Sequence, residues 1–329
     1  MKNLFTLCFI SVTVALITLE LVIRIFFAEN MSGRFEYGYH PTAGFIEEND
    51  GTVNLVRAGG RRFRPQSFQM PKPKGTFRVF VVGDSVPRGP SLEGAYAEQL
   101  EELLKKEEVQ AEVLNLGIAG NGIRRSRIIM DQVFQYEPDL ILFHLNYSNE
   151  YEDEREWRRA QDFKSWHPSH WLTKSLLVAR LFELKTEKIY WFWLPEKIRQ
   201  AGESRDQDQE TLALNDAELR KIWDKRLVEN TADLKKRAHE KKMPVLIIVQ
   251  STFGDGDQRN TLGTARSLRF LKPAPDVLTM QSVFEKNPEG RSLFMDGTHM
   301  KPKAHALLAE KIKEKIIPLA DSYFKSRKP

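Results

Sequence analysis

The sequence predicts an α/β fold built on a mostly parallel sheet, and three observations predict it. Short β-branched and aromatic runs alternate with longer amphipathic segments along the chain. One of those runs, Asp139 to Phe143, is nearly all apolar, as in a sheet buried on both faces. Small and polar residues cluster after the runs, where a parallel sheet opens its ligand-binding loops.

The elements follow in order. Phe77-Arg78-Val79-Phe80-Val81-Val82 reads as a strand closed by Gly83. Residues 95–106 carry Leu100, Leu103 and Leu104 at helical spacing. Glu112 to Leu116 is a second strand, residues 124–135 a helix, and Asp139 to Phe143 a third strand. A charged amphipathic helix spans 217–241, and Pro244 to Val249 follows as a strand. Residues 302–317 form a terminal helix with Pro302 at its first turn and Ala304, Leu307, Leu308, Ile312 and Ile316 on one face. Strands joined through helices require right-handed crossovers and hence parallel neighbours.

Composition bounds the rest. The chain has 329 residues, 41% of them hydrophobic, which excludes a wholly disordered chain. One cysteine, Cys8, excludes an intramolecular disulfide framework and a multi-cysteine zinc site. A net charge of +5 is weak grounds for a nucleic-acid partner. His167 and His170 have a conceivable metal-ligand spacing but no evident third ligand. No metal and no cofactor is expected.

The N-terminus stands apart. Leu4 to Leu19 carries no charge, and Glu20 and Arg24 follow one helical turn apart. Such a run is long enough for a bilayer core of roughly 30 Å. Lys2 ahead of it favours an inside N-terminus, which Arg24 and Arg34 weaken. A cleaved signal peptide finds only a poor site at Phe26-Phe27-Ala28, and Cys8 follows Leu7 rather than the small residue a lipoprotein needs. A retained signal anchor over 1–29 fits best. The chain is then single-pass in the cell membrane, with its remainder outside the cytoplasm, periplasmic or extracellular. Residues 30–75 read as a connector with some local structure. No acidic residue occurs between Asp50 and Asp84, while Arg57, Arg61, Arg62, Arg64, Lys72, Lys74 and Arg78 do. That stretch is either a solvated basic linker or a contact for an anionic surface. Asn30-Met31-Ser32 and Asn146-Tyr147-Ser148 match a glycosylation sequon, a short pattern that usually arises by accident.

Chemistry is expected in four loops. The first is Gly83-Asp84-Ser85, which presents a hydroxyl just after a buried strand. The second, Asn115 to Gly122, holds three glycines for close backbone approach, at spacings unlike the dinucleotide fingerprint. The third is Asn146-Tyr147-Ser148-Asn149-Glu150, where an Asn amide can face a developing oxyanion. The fourth is Asp296-Gly297-Thr298-His299, whose spacing puts carboxylate and imidazole together.

Taken in order on consecutive strand ends, these blocks resemble those of the SGNH hydrolases, the GDSL-type esterases and lipases. The stretch from Gly59 to Pro87 is also similar to the lead-in of envelope-associated members. The resemblance covers residues 76–150 and 240–317. It implies a flavodoxin-like three-layer α/β/α sandwich on a mostly parallel five-stranded sheet. It assigns Ser85 as nucleophile, His299 as base and Asp296 as the orienter of that base. Backbone N–H groups of Ser85 and Gly120 are expected in the oxyanion hole. The third block departs from the pattern, having no Gly before its Asn. Asn149, followed by Glu150, fits better than Asn146, which lies nearer the strand end. The implied activity is ester hydrolysis or O-acyl transfer through an acyl-serine, plausibly on acetyl esters of a cell-envelope or extracellular polysaccharide. The alternative is a catalytically weak scaffold that binds acylated glycan or an assembly partner. The domain at 76–329 then carries an insertion at about 151–240 that holds all six tryptophans: Trp157, Trp166, Trp171, Trp191, Trp193 and Trp223. Sugar stacking, a membrane-interface belt and a small subcore all suit them.

Overall fold

The computed structural model describes residues 2–31, 45–55, 63–91, 94–146, 177, 216–253, 262–264 and 268–326. By its contacts the chain divides into two units. One joins Met1–Ala43, Ala58–Arg61 and Arg155–Ala213; the other joins Gly44–Arg57, Arg62–Glu154 and Leu214–Pro329.

In the first unit, α1 (Lys2–Met31) is one continuous helix. Its window Thr6–Ile23 is long and apolar enough to cross a membrane, and large side chains such as Leu7, Phe9 and Ile25 are exposed. Glu20, within this apolar run, accepts the N–H of Leu177 at 2.8 Å.

The second unit is built on a five-stranded sheet. Its strands are β4 (Phe77–Gly83), β5 (Ala111–Gly117), β6 (Leu140–Leu145), β7 (Val245–Val249) and β10 (Val277–Thr279), while β8 (Ser251–Phe253) and β9 (Leu262–Thr264) form a separate antiparallel pair. The five lie in the order β5-β4-β6-β7-β10, and every neighbouring pair is parallel. Counted by appearance in the chain, that order is 2-1-3-4-5, the flavodoxin-like doubly wound arrangement. The sheet is expected from the alternation of apolar runs, and its central strands are buried at every position.

Both faces are covered, which explains the lack of polar alternation. Val79, Val81, Leu140, Leu142, Leu246 and Ile248 join one core cluster with Leu100 and Leu104 of α3 (Tyr96–Lys106), Met280 and Phe284 of α6 (Met280–Phe284), and Leu308, Ile312 and Ile316 of α7 (Pro302–Ser326). The alternate positions Phe80, Val82, Ile141, Phe143, Ile247 and Val249 are equally buried. Helices α4 (Ile123–Val133) and α5 (Asp216–Glu240) pack together on that side, with Ile129, Met130, Leu227 and Leu234 turned inward. Helix α5 therefore belongs to the sheet's outer layer, although its sequence falls within the expected insertion.

The segment read as a connector is more structured than expected. It forms a small antiparallel sheet from β1 (Phe45–Glu47), β2 (Thr52–Leu55) and β3 (Gln66–Gln69). Phe68 meets Phe80 of the large sheet edge-on at 5.7 Å. Its basic residues are also less solvated than their run implies. Arg78 is fully buried and donates to Glu112, Tyr136 O and Gln69 O. Lys72 pairs with Asp139, both 6% exposed.

Candidate active site

The chain leaves β4 at Gly83 and turns at once into α2 (Ser85–Arg88). Asp84 caps that turn, its Oδ1 accepting Val86 N–H at 2.9 Å. A side chain on Gly83 would strike Pro87 Cγ at 2.8 Å and His144 Cβ at 2.9 Å, so glycine lets the turn and β6 close on each other. β4 and β6 are also the strands between which the strand order reverses, where doubly wound sheets bind ligands.

Ser85, at the start of the turn, meets His299 across the sheet's end: Ser85 Oγ and His299 Nε2 are 2.8 Å apart. His299 Nδ1 lies 2.7 Å from Asp296 Oδ2, and Asp296 Oδ1 accepts the backbone N–H of both Thr298 and His299 at 2.7 Å. A carboxylate only accepts, so Nδ1 carries the ring proton and Nε2 offers its lone pair to the serine. Partial burial pulls the Asp296 carboxyl upward; the N–H donors of His299 and Thr298 and the imidazole outweigh it and hold the group below its usual range. The arrangement is that of a serine with a positioned base and an orienter for that base.

The loop after β5 is locked beside this turn. Ile118 N–H bonds Gly83 O at 3.1 Å. Gly120 has φ +76°, a left-handed conformation suited to glycine, and its carbonyl accepts Arg125 Nη1 at 3.0 Å. The fully buried Arg125, from the first turns of α4, thereby fixes the peptide beside the expected oxyanion glycine.

The third block divides. Asn149 lies outside the described residues. Asn146 directly follows β6 and is buried, with Nδ2 donating to Asp84 Oδ2 across the β4–β6 junction. Asp84 is itself fully buried; burial pushes its carboxyl up, against the pull of His144, Val86 N–H and Asn146. The buried Asn146 amide is no surface glycosylation site. His167, His170 and the five tryptophans between 157 and 193 lie outside the described residues, as does the side chain of Trp223.

A buried polar layer beneath the site escaped the sequence reading. His144 Nε2 and Gln250 Oε1 are 2.6 Å apart, and Tyr96 Oη lies 3.2 Å from His144 Nδ1. Gln250 Nε2 donates to Ser251 O at 2.8 Å and to Thr298 O at 3.3 Å. An amide oxygen must accept, so His144 carries its proton on Nε2 and receives the tyrosine hydroxyl on Nδ1. Burial keeps that imidazole below its ordinary pKa despite Asp84 nearby, so it stays neutral and ties Gln250 to the loop bearing His299. Phe253 N–H adds a bond to Gly297 O at 2.9 Å. Only a His near one strand end and a Gln near the next mark this layer in the sequence.

No family model and no curated protein matches the chain. Solved structures are similar to it. One is an acetyl xylan esterase at 15% identity and TM-score 0.42, covering 73% of this chain and 100% of that one. A second is TesA at 14% and 0.42, covering 74% and 99%. A third is a catalytic mutant of an acetylxylan esterase from Geobacillus stearothermophilus at 13% and 0.42, covering 73% and 94%. Likeness at this level does not tell what this chain does; the fold and the site stand on its own strand order and distances. The Ser, Gly and Asp-x-x-His blocks that resemble the SGNH hydrolases thus lie at the ends of one parallel sheet ordered 2-1-3-4-5, with Ser85, His299 and Asp296 in hydrogen-bond contact.

Proposed function

We propose that this chain is a serine ester hydrolase of the SGNH type, held at a membrane by α1. The contact between Ser85 and His299, 214 residues apart in sequence, carries the reading. Chance rarely places a hydroxyl, an imidazole and a carboxylate in line at 2.8 and 2.7 Å on the ends of a parallel sheet.

In the first step His299 Nε2 takes the Ser85 proton while Oγ attacks the ester carbonyl. Asp296 holds the tautomer and offsets the imidazolium charge. The carbonyl oxygen becomes an oxyanion, met by N–H groups of Ser85 and Gly120 and by an Asn amide, for which Asn149 is our candidate. One such donor contributes roughly 2.7–4 kcal/mol to the transition state. His299 returns the proton to the departing alcohol, leaving an acyl-serine. Water, or an acceptor alcohol, then attacks that ester with His299 again as base. The substrate class we assign is an O-acetyl or other O-acyl ester of a cell-envelope or extracellular polysaccharide. The catalytic layer then faces the non-cytoplasmic side, periplasmic or extracellular.

A second reading has one observation in its favour: Asn146 Nδ2 donates to Asp84 Oδ2, so one of its two N–H groups is already engaged. A chain whose oxyanion hole is short of a donor is a weak catalyst that binds acylated glycan or an assembly partner. Aryl-acetate hydrolysis and labelling by an organophosphonate distinguish the two. The hydrolase reading expects the full-length chain in detergent to be labelled at Ser85. It also expects Ser85→Ala to lose at least about 10³-fold in kcat. Equal activity in the Ser85→Ala variant sinks it, and glycan binding without labelling supports the scaffold.

A further inference from the structure

The turn that carries Ser85 is only four residues long, and a helix that short cannot satisfy its own carbonyls. Each carbonyl from Ser85 to Gly89 nevertheless has a donor. Gly89 N–H reaches Ser85 O and Val86 O at 3.2 and 3.1 Å. Asn115 Nδ2 reaches Pro87 O at 2.9 Å. The last two, Arg88 O and Gly89 O, are taken by one side chain: Arg64 Nε at 2.8 Å and Arg64 Nη2 at 2.5 Å. Arg64 does not come from the catalytic sheet. It lies two residues before β3, the last strand of the small antiparallel sheet.

That small sheet is held to the catalytic layer by a second contact beside the first. Gln66 Oε1 accepts Asn115 N–H at 2.8 Å, and Gln66 Nε2 donates to Asn115 O at 2.9 Å. The side-chain amide thus pairs with the open edge of β5 as another strand would. Gln66 Nε2 also donates to Arg64 O at 3.1 Å, which fixes the backbone from which the guanidinium projects. Phe63, on the other side of Arg64, is buried.

We infer that Arg64 is a positioning residue for the nucleophile, which makes the small N-terminal sheet part of the catalytic apparatus. The inference rests on Ser85 being that nucleophile. A guanidinium suits the task because its fork presents two N–H groups in fixed geometry to two successive carbonyls. A lysine ammonium keeps the charge and loses the fork. With Arg88 O and Gly89 O unheld, the turn is free to relax and Ser85 Oγ shifts against His299 Nε2. A displacement of about 1 Å in such a contact costs up to roughly 10²-fold in rate.

The test compares full-length Arg64→Met, Arg64→Lys and Gln66→Leu with wild type in detergent, by aryl-acetate kinetics, the rate of organophosphonate labelling at Ser85, and thermal unfolding. Gln66→Leu loosens the same small sheet without touching the turn's last carbonyls. The expected result is a fall in kcat of about 10–100-fold for Arg64→Met with KM within about twofold. The labelling rate falls in parallel, Arg64→Lys lies between Arg64→Met and wild type, and Gln66→Leu, which frees the backbone behind the guanidinium but not the guanidinium itself, loses less kcat than Arg64→Met. Guanidinium ion at sub-denaturing concentration restores part of the Arg64→Met rate and none of the Ser85→Ala rate. Two results overturn the inference while leaving the hydrolase reading intact. One is an Arg64→Met kcat within about twofold of wild type. The other is an equal loss in Arg64→Met and Gln66→Leu that follows only their loss of folded protein. A wild-type chain that is neither active nor labelled overturns both.

Discussion

A methyl group at position 117 would land inside the nucleophile turn. A Cβ there lies 2.4 Å from Arg88 N, 2.7 Å from Arg88 Cα and 2.9 Å from Asp84 O, all of them backbone. Backbone on a capped and clamped turn cannot swing aside as a flexible side chain can. Gly117→Ala must therefore move the turn or the end of β5. The expected cost is about 1–3 kcal/mol of stability, with kcat falling at least about tenfold and KM nearly unchanged. Thermal unfolding and aryl-acetate kinetics check both, and a variant with wild-type kcat would show that the turn has more freedom than these distances allow. The residue scale also shows what the sequence exposed and what it hid. Ser85, Asp296 and His299 could be picked as candidates because each sits in a short block with a fixed local spacing, and the fold brings the three into contact. Asp84, Asn115 and Gln250 could not, because each also bonds a group that only folding brings near, and Arg125 could not, because its burial is set by packing. A buried arginine and a surface arginine are written with the same letter: Arg78, Arg64 and Lys72, counted in a basic linker, are in fact engaged inside the second unit.

At the scale of elements, the central strands were legible to within a residue or two because burial on both faces leaves an unbroken apolar run. The strand Val277–Thr279 was not, since three residues carry no periodicity and its place beside β7 is set by tertiary packing. The same holds for β1, β2 and β3, whose inward residues amount to little more than Val53, Leu55 and Phe68. The terminal helix shows packing overriding a local rule. Pro318 argues for a stop near residue 317, yet α7 runs on to Ser326. What lies beyond the proline explains it. Ala320 is buried, Tyr323 meets Phe77 edge-on at 5.4 Å, and its hydroxyl bonds Thr76 O at 3.2 Å. Those contacts repay the hydrogen bond that Pro318 cannot make. Pro318 itself is exposed, so Pro318→Ala opens no cavity while restoring a donor to the helix. It is expected to stabilise the chain by about 1 kcal/mol, or roughly 2–4 °C in Tm. A fall in Tm on that change would mean that the proline shapes a bend on which the Tyr323 contacts depend.

For the molecule as a whole, the buried ionisable groups that ring the catalytic strand ends set how stability responds to pH. His305 at the start of α7 stacks 6.0 Å from Tyr96, and burial, aided by His144, lowers its pKa to about 3. It is neutral in the fold and takes up a proton on unfolding below about 6.5. Its contribution is thus present above 6.5 and is lost as pH falls toward 3. Glu98 on α3 runs the other way. Burial raises its carboxyl to about 7, although Asn115 and the Arg64 charge pull it down. A raised carboxyl pKa means that the fold holds a proton the unfolded chain releases. Its contribution is present below 4.5 and is lost as pH rises through 7. Between 4.5 and 6.5 the two slopes oppose one another, so together they flatten the wild-type curve there. Glu98→Gln keeps the oxygen that accepts Asn115 Nδ2 at 3.3 Å and removes only the titration. The variant is therefore expected to match wild type near pH 4 and to gain stability progressively up to about pH 7 to 8, reaching roughly 2–4 °C in Tm. With the opposing Glu98 slope gone, the His305 slope is offset less, and the variant loses stability on acidification already from about pH 6.5. Thermal unfolding of both chains from pH 4 to 8 decides it. A Tm difference that does not change with pH would mean that Glu98 is ionised in the fold at neutral pH, paired more strongly with Arg64 than its burial allows.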